Sequence, residues 1–295
     1  MRNRWLPWFL LAPALLLIIG LTIYPLLYTF FLSFQHYDMY SMISGEAEWA
    51  GFENYRETLT DPFFWKVTRN TVVFGLACVA GTMIVGLCVA LLLHTKFIGS
   101  KILGVAILVP WVFPAVAGGI VWRWMFNDQY GIANFFLTKL GFESFEGFAW
   151  FNSSFSAFFI IFLMIVWQSF PFIAISLLAG FQTIPTSLYE AAKIDGASAW
   201  DQLTKITLPM LKPLLLILFI LSTIWDFKIF DQIYVMTEGG PARSTYVLAL
   251  YSWNEAINAL HFGMASAIAM LMFVLLMIFI IVYVYFLRED KAVSS

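Results

Sequence analysis

Six apolar stretches, each long enough to cross a lipid bilayer, constrain this chain more than any other feature. A spanning helix needs about 20 mostly apolar residues. That length is met at about Trp8–Ser33, Asn70–Leu93, Ile102–Phe126, Phe155–Gly180, Leu214–Val235 and Met264–Leu287. Runs of this length read as helices, because outer-membrane strands would alternate in character over about 10 residues. Of 295 residues, 61% are hydrophobic and 12% are charged, whereas soluble domains carry about 25% charged residues. So few charges cannot cover a soluble protein of this size, and lipid must solvate much of its surface. The expected fold class is an all-α membrane protein with six transmembrane helices in one domain, residues 1–295.

Arg2 and Arg4 precede the first run, but that run is longer than a signal-peptide core of about 7–15 residues, so it reads as a retained helix. An even number of spans puts both termini on one side. One side collects Arg2, Arg4, Lys96, Lys101, Lys193, Lys205, Lys212, Arg288 and Lys291, and the other holds most of the acids, so the positive-inside rule makes both termini cytoplasmic. Trp49, Trp65, Trp122, Trp124 and Trp150 then fall in or beside the outer segments, where an interfacial aromatic belt is expected. Cys78 and Cys88 share one apolar run about 15 Å apart along a helix and cannot bridge. A net charge of −2 gives no basis for nucleic-acid binding.

The connection between the fourth and fifth runs, residues 184–209, is longer than a helix–helix connection requires. It reads as two short helices around a tight corner. Ser187 and Glu190 have capping-box spacing, Gly196 suits a left-handed helix end, Ser198 can cap a second helix, and Pro209 is expected to stop it before the next span. A hairpin lying on lipid would favour a basic polar face, whereas this one carries Glu190, Asp195 and Asp201 beside Lys193 and Lys205.

Glu190-Ala191-Ala192, Asp195-Gly196, Ile206 and Leu208-Pro209 resemble the "EAA" loop of binding-protein-dependent ABC importer permeases. The resemblance implies a type I importer permease fold, making the one domain a transmembrane permease domain. It implies that the loop docks on a cytoplasmic ABC ATPase, with Glu190 pairing a basic residue there and Gly196 permitting the corner. Phe230-Asp231-Gln232-Ile233-Tyr234-Val235-Met236-Thr237-Glu238-Gly239-Gly240-Pro241, and more weakly Gly131-Ile132-Ala133-Asn134, are similar to the carbohydrate-uptake branch: maltose, multiple-sugar and glycerol-phosphate permeases. Further implications are a second homologous permease subunit, an extracytoplasmic solute-binding protein, alternating access, and residence in the cytoplasmic (inner) membrane of a prokaryote. ATP and Mg would sit on the partner ATPase, with no cofactor on this chain.

Polar groups deep in a span are costly and default to functional candidates. Trp167 and Gln168 fall mid-span ahead of Pro171, which is expected to kink or loosen its helix. Trp225, Asp226 and Asp231 follow the middle of the fifth run. Indole faces stack on sugar rings, and amides or carboxylates accept hydroxyl hydrogens, so these residues are candidates for the solute pathway. Lys228 and Asp231, three apart, are expected to form an intramembrane ion pair. Arg123 is expected to snorkel at the outer face. There is no GxxxxGK[ST] phosphate loop, no metal-ligand spacing among the three histidines and no catalytic constellation, so the chain is not expected to be an enzyme. The rival readings are a secondary transporter or channel without an ATPase, and an ABC permease for amino acids or peptides.

Overall fold

The computed structural model describes residues 6–95 and 97–293. Arg2, Arg4 and Lys96, used above for orientation, lie outside the described residues, as do the side chains of Arg288 and Lys291 and both chain ends. The first run is α1 (Leu6–Ile18), a π turn (Ile19–Ile23) and α2 (Tyr24–Leu32). The segment that follows holds β1 (Gln35–His36), α3 (Met39–Ser44), β2 (Glu48–Trp49) and α4 (Glu53–Thr60), and leads into α5 (Pro62–His94). The third run divides into α6 (Ser100–Ala106), α7 (Val109–Val112) and α8 (Ala115–Met125), with α9 (Ile132–Lys139) in the loop after it. Next come α10 (Ser154–Phe181), α11 (Thr186–Ile194), α12 (Ala199–Gln202), a second π turn (Leu203–Thr207) and α13 (Leu208–Asp226). The chain continues through α14 (Asp231–Thr237), α15 (Leu248–Ile257) and α16 (Phe262–Val293). Among the described residues, five helices are long and apolar enough to span a membrane, or six if the bent third run counts as one span.

Prolines explain where the expected spans differ from the observed ones. The third run is not one helix: Ser100–Val112 and Ala115–Met125 meet at 97°. Phe113 is extended (φ −71°, ψ 127°) ahead of Pro114, because a residue preceding proline is pushed out of the helical region. Pro171, by contrast, lies buried within an uninterrupted α10. Pro209 does not stop the loop's second helix, which continues from Ala199 to Asp226. Its ring would clash with the carbonyl four residues back, at Lys205. The π turn Leu203–Thr207 takes up that clash, the Leu208 amide donating to the Leu203 carbonyl one residue further back than in an α-helix. The first run repeats the device, with the π turn Ile19–Ile23 ahead of Pro25. The fifth run, expected to be helical to Val235, breaks after Asp226 and resumes at Asp231. The second begins at Pro62 rather than Asn70.

Two packed units divide the chain: residues up to Val67 with Leu248–Met277, and Thr68–Val247 with Ile278 onward. In the first, β1 and β2 pair antiparallel, Gln35 opposite Trp49. The Asn54 amide donates to the carbonyls of Ser33 and Gln35, both at 2.9 Å. Asp38 caps α3 through the Ser41 amide at 2.8 Å, and that bond holds its carboxyl below the usual carboxylate range. The Gly263 amide donates to the Tyr37 carbonyl (2.9 Å), and a Cβ there would meet the Gln35 carbonyl oxygen at 2.1 Å.

The second unit is assembled through glycines. A Cβ on Gly81 would lie 2.7 Å from Phe162 and 2.8 Å from Val166, and one on Gly86 would lie 2.6 Å from the Ile173 side chain, so α5 and α10 approach at bare backbone. Small residues allow such approaches between membrane helices, where dispersion rather than water exclusion drives packing. Gly86→Ala is accordingly expected to destabilise the unit by about 1–3 kcal/mol, the usual cost of overpacking. A lower thermal midpoint in detergent checks it, and an unchanged one would show that Ile173 yields. Toward the end of α10, Ala90, Ile173, Leu177, Phe181, Leu211 and Leu218 form a buried core, with Tyr189 and Ile206 packed against it. That core positions the 184–209 loop.

Candidate docking and translocation sites

The 184–209 loop is a helix–turn–helix. Its first helix starts at Thr186 behind Pro185, and no side chain caps it, so the expected Ser187–Glu190 box is not made. Proline at the helix start needs no amide partner and has a preset φ. The corner is a Schellman motif: the Ala197 amide donates to the Ala192 carbonyl (2.8 Å) and the Gly196 amide to the Lys193 carbonyl (3.1 Å). Gly196 takes φ +79°, the left-handed conformation expected of it. Ser198 caps α12, and Asp201 reaches back to the Ser198 backbone, completing a capping box here rather than on α11. Lys205 pairs with Asp201 at 2.6 Å one turn on.

The loop is fastened behind and open in front. Ile206 and Tyr189 pack on the core, and the Tyr189 hydroxyl shares a 2.9 Å hydrogen bond with the Thr207 hydroxyl. Glu190, Ala191, Asp195 and Gly196 are exposed, while Ala192 and Leu208 are half-buried and Pro209 is exposed. Ile194 is 87% exposed and Trp200 71% exposed. These large apolar side chains stand uncovered on the same loop as the exposed Glu190 and Asp195. Glu190 also borders a cavity of about 430 Å³ behind α11 with His94, Lys193 and Gln202.

The mid-span candidates separate into two groups. Gln168 donates to the Phe113 carbonyl at 2.8 Å and accepts from the Gln232 amide at 3.0 Å. It therefore satisfies the carbonyl exposed by the break in the third run and links that break to α14. Trp167 packs beside it, its ring 6.2 Å from Phe113 and 5.9 Å from Trp122. Trp225 joins a different cluster, 5.6 Å from Trp111 and 5.1 Å from Phe172, and is 39% exposed. Asp226 is 6% exposed, and its Oδ2 has no hydrogen-bond partner. Asp231 is exposed in the first turn of α14, where its negative charge complements the positive end of the helix dipole.

The structure does not pair Lys228 with Asp231. Ion pairs within 4.0 Å among the described residues include His36 with Glu53, Arg123 with Glu238, Lys205 with Asp201 and His261 with Glu255. The expected pair needed a continuous helix, and the break after Asp226 removes that spacing. Arg123 does more than snorkel: it donates to the Val235 carbonyl at 3.2 Å and lies 3.8 Å from Glu238, holding α8 to α14. Gly119 tightens that contact, since a Cβ there would meet Val235 at 3.1 Å. Of the expected aromatic belt, Trp49, Trp65 and Trp124 are exposed. Trp150 is buried, donating to Asn134 at 2.6 Å, and Trp122 packs on Trp167 and Phe126. Sequence reasoning missed Gln232, Trp111 and Phe172; the amide of Gln232 within the fifth run was the available signal for the first. No cluster of His, Cys, Asp or Glu among the described residues could hold a metal ion.

A bent third span, a fifth span rooted in an exposed helix–turn–helix and a glycine-packed bundle define a multi-pass membrane permease. The sequence profile of the binding-protein-dependent transport system inner membrane component family matches residues 82–289, and this chain belongs to that family. The chain is similar to the diacetylchitobiose uptake system permease protein DasB of Streptomyces coelicolor, 41% identical over 92% of this chain and 83% of that protein. It is 42% identical to the sulfoquinovosyl glycerol transport system permease protein SmoG of Agrobacterium fabrum, over 97% and 91% of the two chains. It is also 38% identical to the trehalose/maltose transport system permease protein MalF of Thermococcus litoralis, over 96% and 93%. A chain of a bacterial alginate ABC transporter, solved with an alginate pentasaccharide-bound periplasmic protein, superposes with a TM-score of 0.85 at 17% identity, covering 98% of this chain and 96% of that one. The fold is the type I importer permease fold, and the protein is a multi-pass inner-membrane permease.

Proposed function

We propose that this chain is one permease subunit of an ATP-driven importer for a sugar or sugar-like solute. The observation that carries the reading is the 184–209 loop, built on the membrane core yet presenting Glu190, Ile194 and Trp200 outward. A secondary transporter has no use for such a surface. The names of the similar permeases, for diacetylchitobiose, sulfoquinovosyl glycerol and trehalose or maltose, support a saccharide as the solute.

In this reading both termini are cytoplasmic and a second homologous permease completes the translocation pathway. An extracytoplasmic binding protein delivers the solute, and two ABC ATPase subunits hold ATP and Mg. Closure of the ATPases pushes the docking loops together and turns the pathway outward, and hydrolysis resets it. This chain supplies no hydrolytic group. Trp167, Gln168 and Trp225 stand nearest the pathway, with Gln168 also holding the broken span open. Asp226 and Asp231 flank the break in the fifth span, at the end of α13 and the start of α14.

Glu190→Ala tests the docking assignment. A hydrogen bond to a charged group contributes about 1.5–3 kcal/mol, so solute-stimulated ATP hydrolysis and uptake by the reconstituted complex are expected to fall about 10- to 100-fold. Membrane insertion should not change. Normal stimulated hydrolysis in this variant would sink the assignment.

A further inference from the structure

The loop after α8 carries Gly131-Ile132-Ala133-Asn134, a motif used by neither the docking surface nor the mid-span cluster. Its frame is tightly built. Asn127 accepts the amides of Gln129 (2.9 Å) and Tyr130 (3.2 Å) at its side-chain oxygen. A Cβ on Gly131 would lie 2.2 Å from the Asn127 carbonyl oxygen, so only glycine fits. Asn134, 6% exposed, donates to the carbonyls of Phe148 (3.0 Å) and Asp128 (3.3 Å) and accepts from Trp150.

This frame supports a cavity of about 470 Å³, bordered by Trp124, Tyr130 and Phe135 and by Asp128, Lys139 and Glu146. The three rings are 57–61% exposed, and those of Trp124 and Tyr130 stand 6.2 Å apart at 41°. Asp128 also borders a neighbouring cavity of about 310 Å³ with Arg123 and Asn152. Exposed rings held on a fixed frame cost less to order when a ligand arrives. Indole and phenol faces stack on the C–H face of a pyranose, and carboxylates accept its hydroxyl hydrogens. The volume lies in the range of small-molecule pockets.

We propose that this cavity is a saccharide vestibule, a subsite on the outer side of the permease that takes one or two sugar rings ahead of the membrane pathway. It rests on the saccharide reading above but fails separately from it. Uptake of maltose, trehalose and diacetylchitobiose by vesicles carrying the complete transporter first identifies the transported sugar. Saturation-transfer NMR then measures that sugar against the permease–ATPase complex in nanodiscs without the binding protein. Transfer from aromatic protons is expected, lost in Trp124→Ala and in Tyr130→Ala and kept in Trp124→Phe, which guards against a folding defect. With the binding protein restored, the alanine variants should raise the apparent KM for sugar about five-fold, as loss of one ring contact would, and leave kcat within about two-fold. A transported sugar that shows no transfer, or transfer indifferent to both alanine variants, overturns the vestibule and leaves the importer intact. Weakened docking of the binding protein with an unchanged sugar signal also overturns it, in favour of a protein contact. Sulfoquinovosyl glycerol joins the uptake panel, and uptake of none of the four solutes overturns the saccharide reading and the vestibule together.

Discussion

Replacing Gly196 by proline is expected to uncouple the transporter while leaving the protein in the membrane. Gly196 sits at φ +79°, and proline is confined near −65°. The substitution also removes the amide that donates to the Lys193 carbonyl, one of two bonds closing the Schellman corner. The corner therefore cannot form, and α11 and α12 lose their fixed angle. A proline misfit costs about 3 kcal/mol, which corresponds to about a 100-fold loss if it falls wholly on the docked state. The core contacts of Tyr189 and Ile206 lie outside the corner, so expression and oligomer size should hold. The measurement is solute-stimulated ATPase activity of the reconstituted complex beside its basal rate. Stimulation retained at the level of the parent would show that the corner is not part of the transmission path.

Gln168→Leu is expected to give the second large effect, and on stability first. It leaves the Phe113 carbonyl and the Gln232 amide without the partners they have at 2.8 and 3.0 Å. Both groups are half-buried; a fully buried orphan costs about 1–3 kcal/mol, and hydrogen bonds between membrane helices often contribute less, about 0.6 kcal/mol on average. The combined loss therefore lies between about 1 and 6 kcal/mol, visible as a lower thermal midpoint. The double variant with Gln232→Leu should be less than additive, because the two amides share one bond. Additive losses would show that the two side chains act independently. If Gln168 instead serves mainly to bind solute, stability would stay near the parent value and only uptake would fall.

The residues explain how much was legible in advance. Long apolar runs declare themselves because lipid tolerates nothing else, and the left-handed Gly196 and the Ser198 cap are local decisions made by a few neighbouring atoms. The prolines were read less well. Pro114 breaks its span by 97° while Pro171 passes through an intact helix, although both sit in apolar runs of similar character. A broken membrane helix survives where its freed carbonyl finds a partner. That partner for Phe113 is Gln168, 55 positions along the chain and invisible to any local pattern. The Lys228–Asp231 pair failed for the same reason, since spacing has meaning only while the helix continues. Trp150 is buried instead of exposed, because an aromatic belt is a statistical expectation. Asn134 offered this particular indole a buried acceptor, a feature that composition does not reveal.

The π turn at Leu203–Thr207 sets the rotational phase between docking surface and membrane. Each residue of an α-helix turns the side chains by about 100°. One additional residue per turn therefore leaves α12 and α13 on a common axis with their faces offset by about that angle. Pro209 keeps it in place, because relaxing the wide turn to regular α would drive its ring into the preceding carbonyl. The proline that looked like a stop signal thus acts as a phase lock, fixing the rotation of α12 relative to α13.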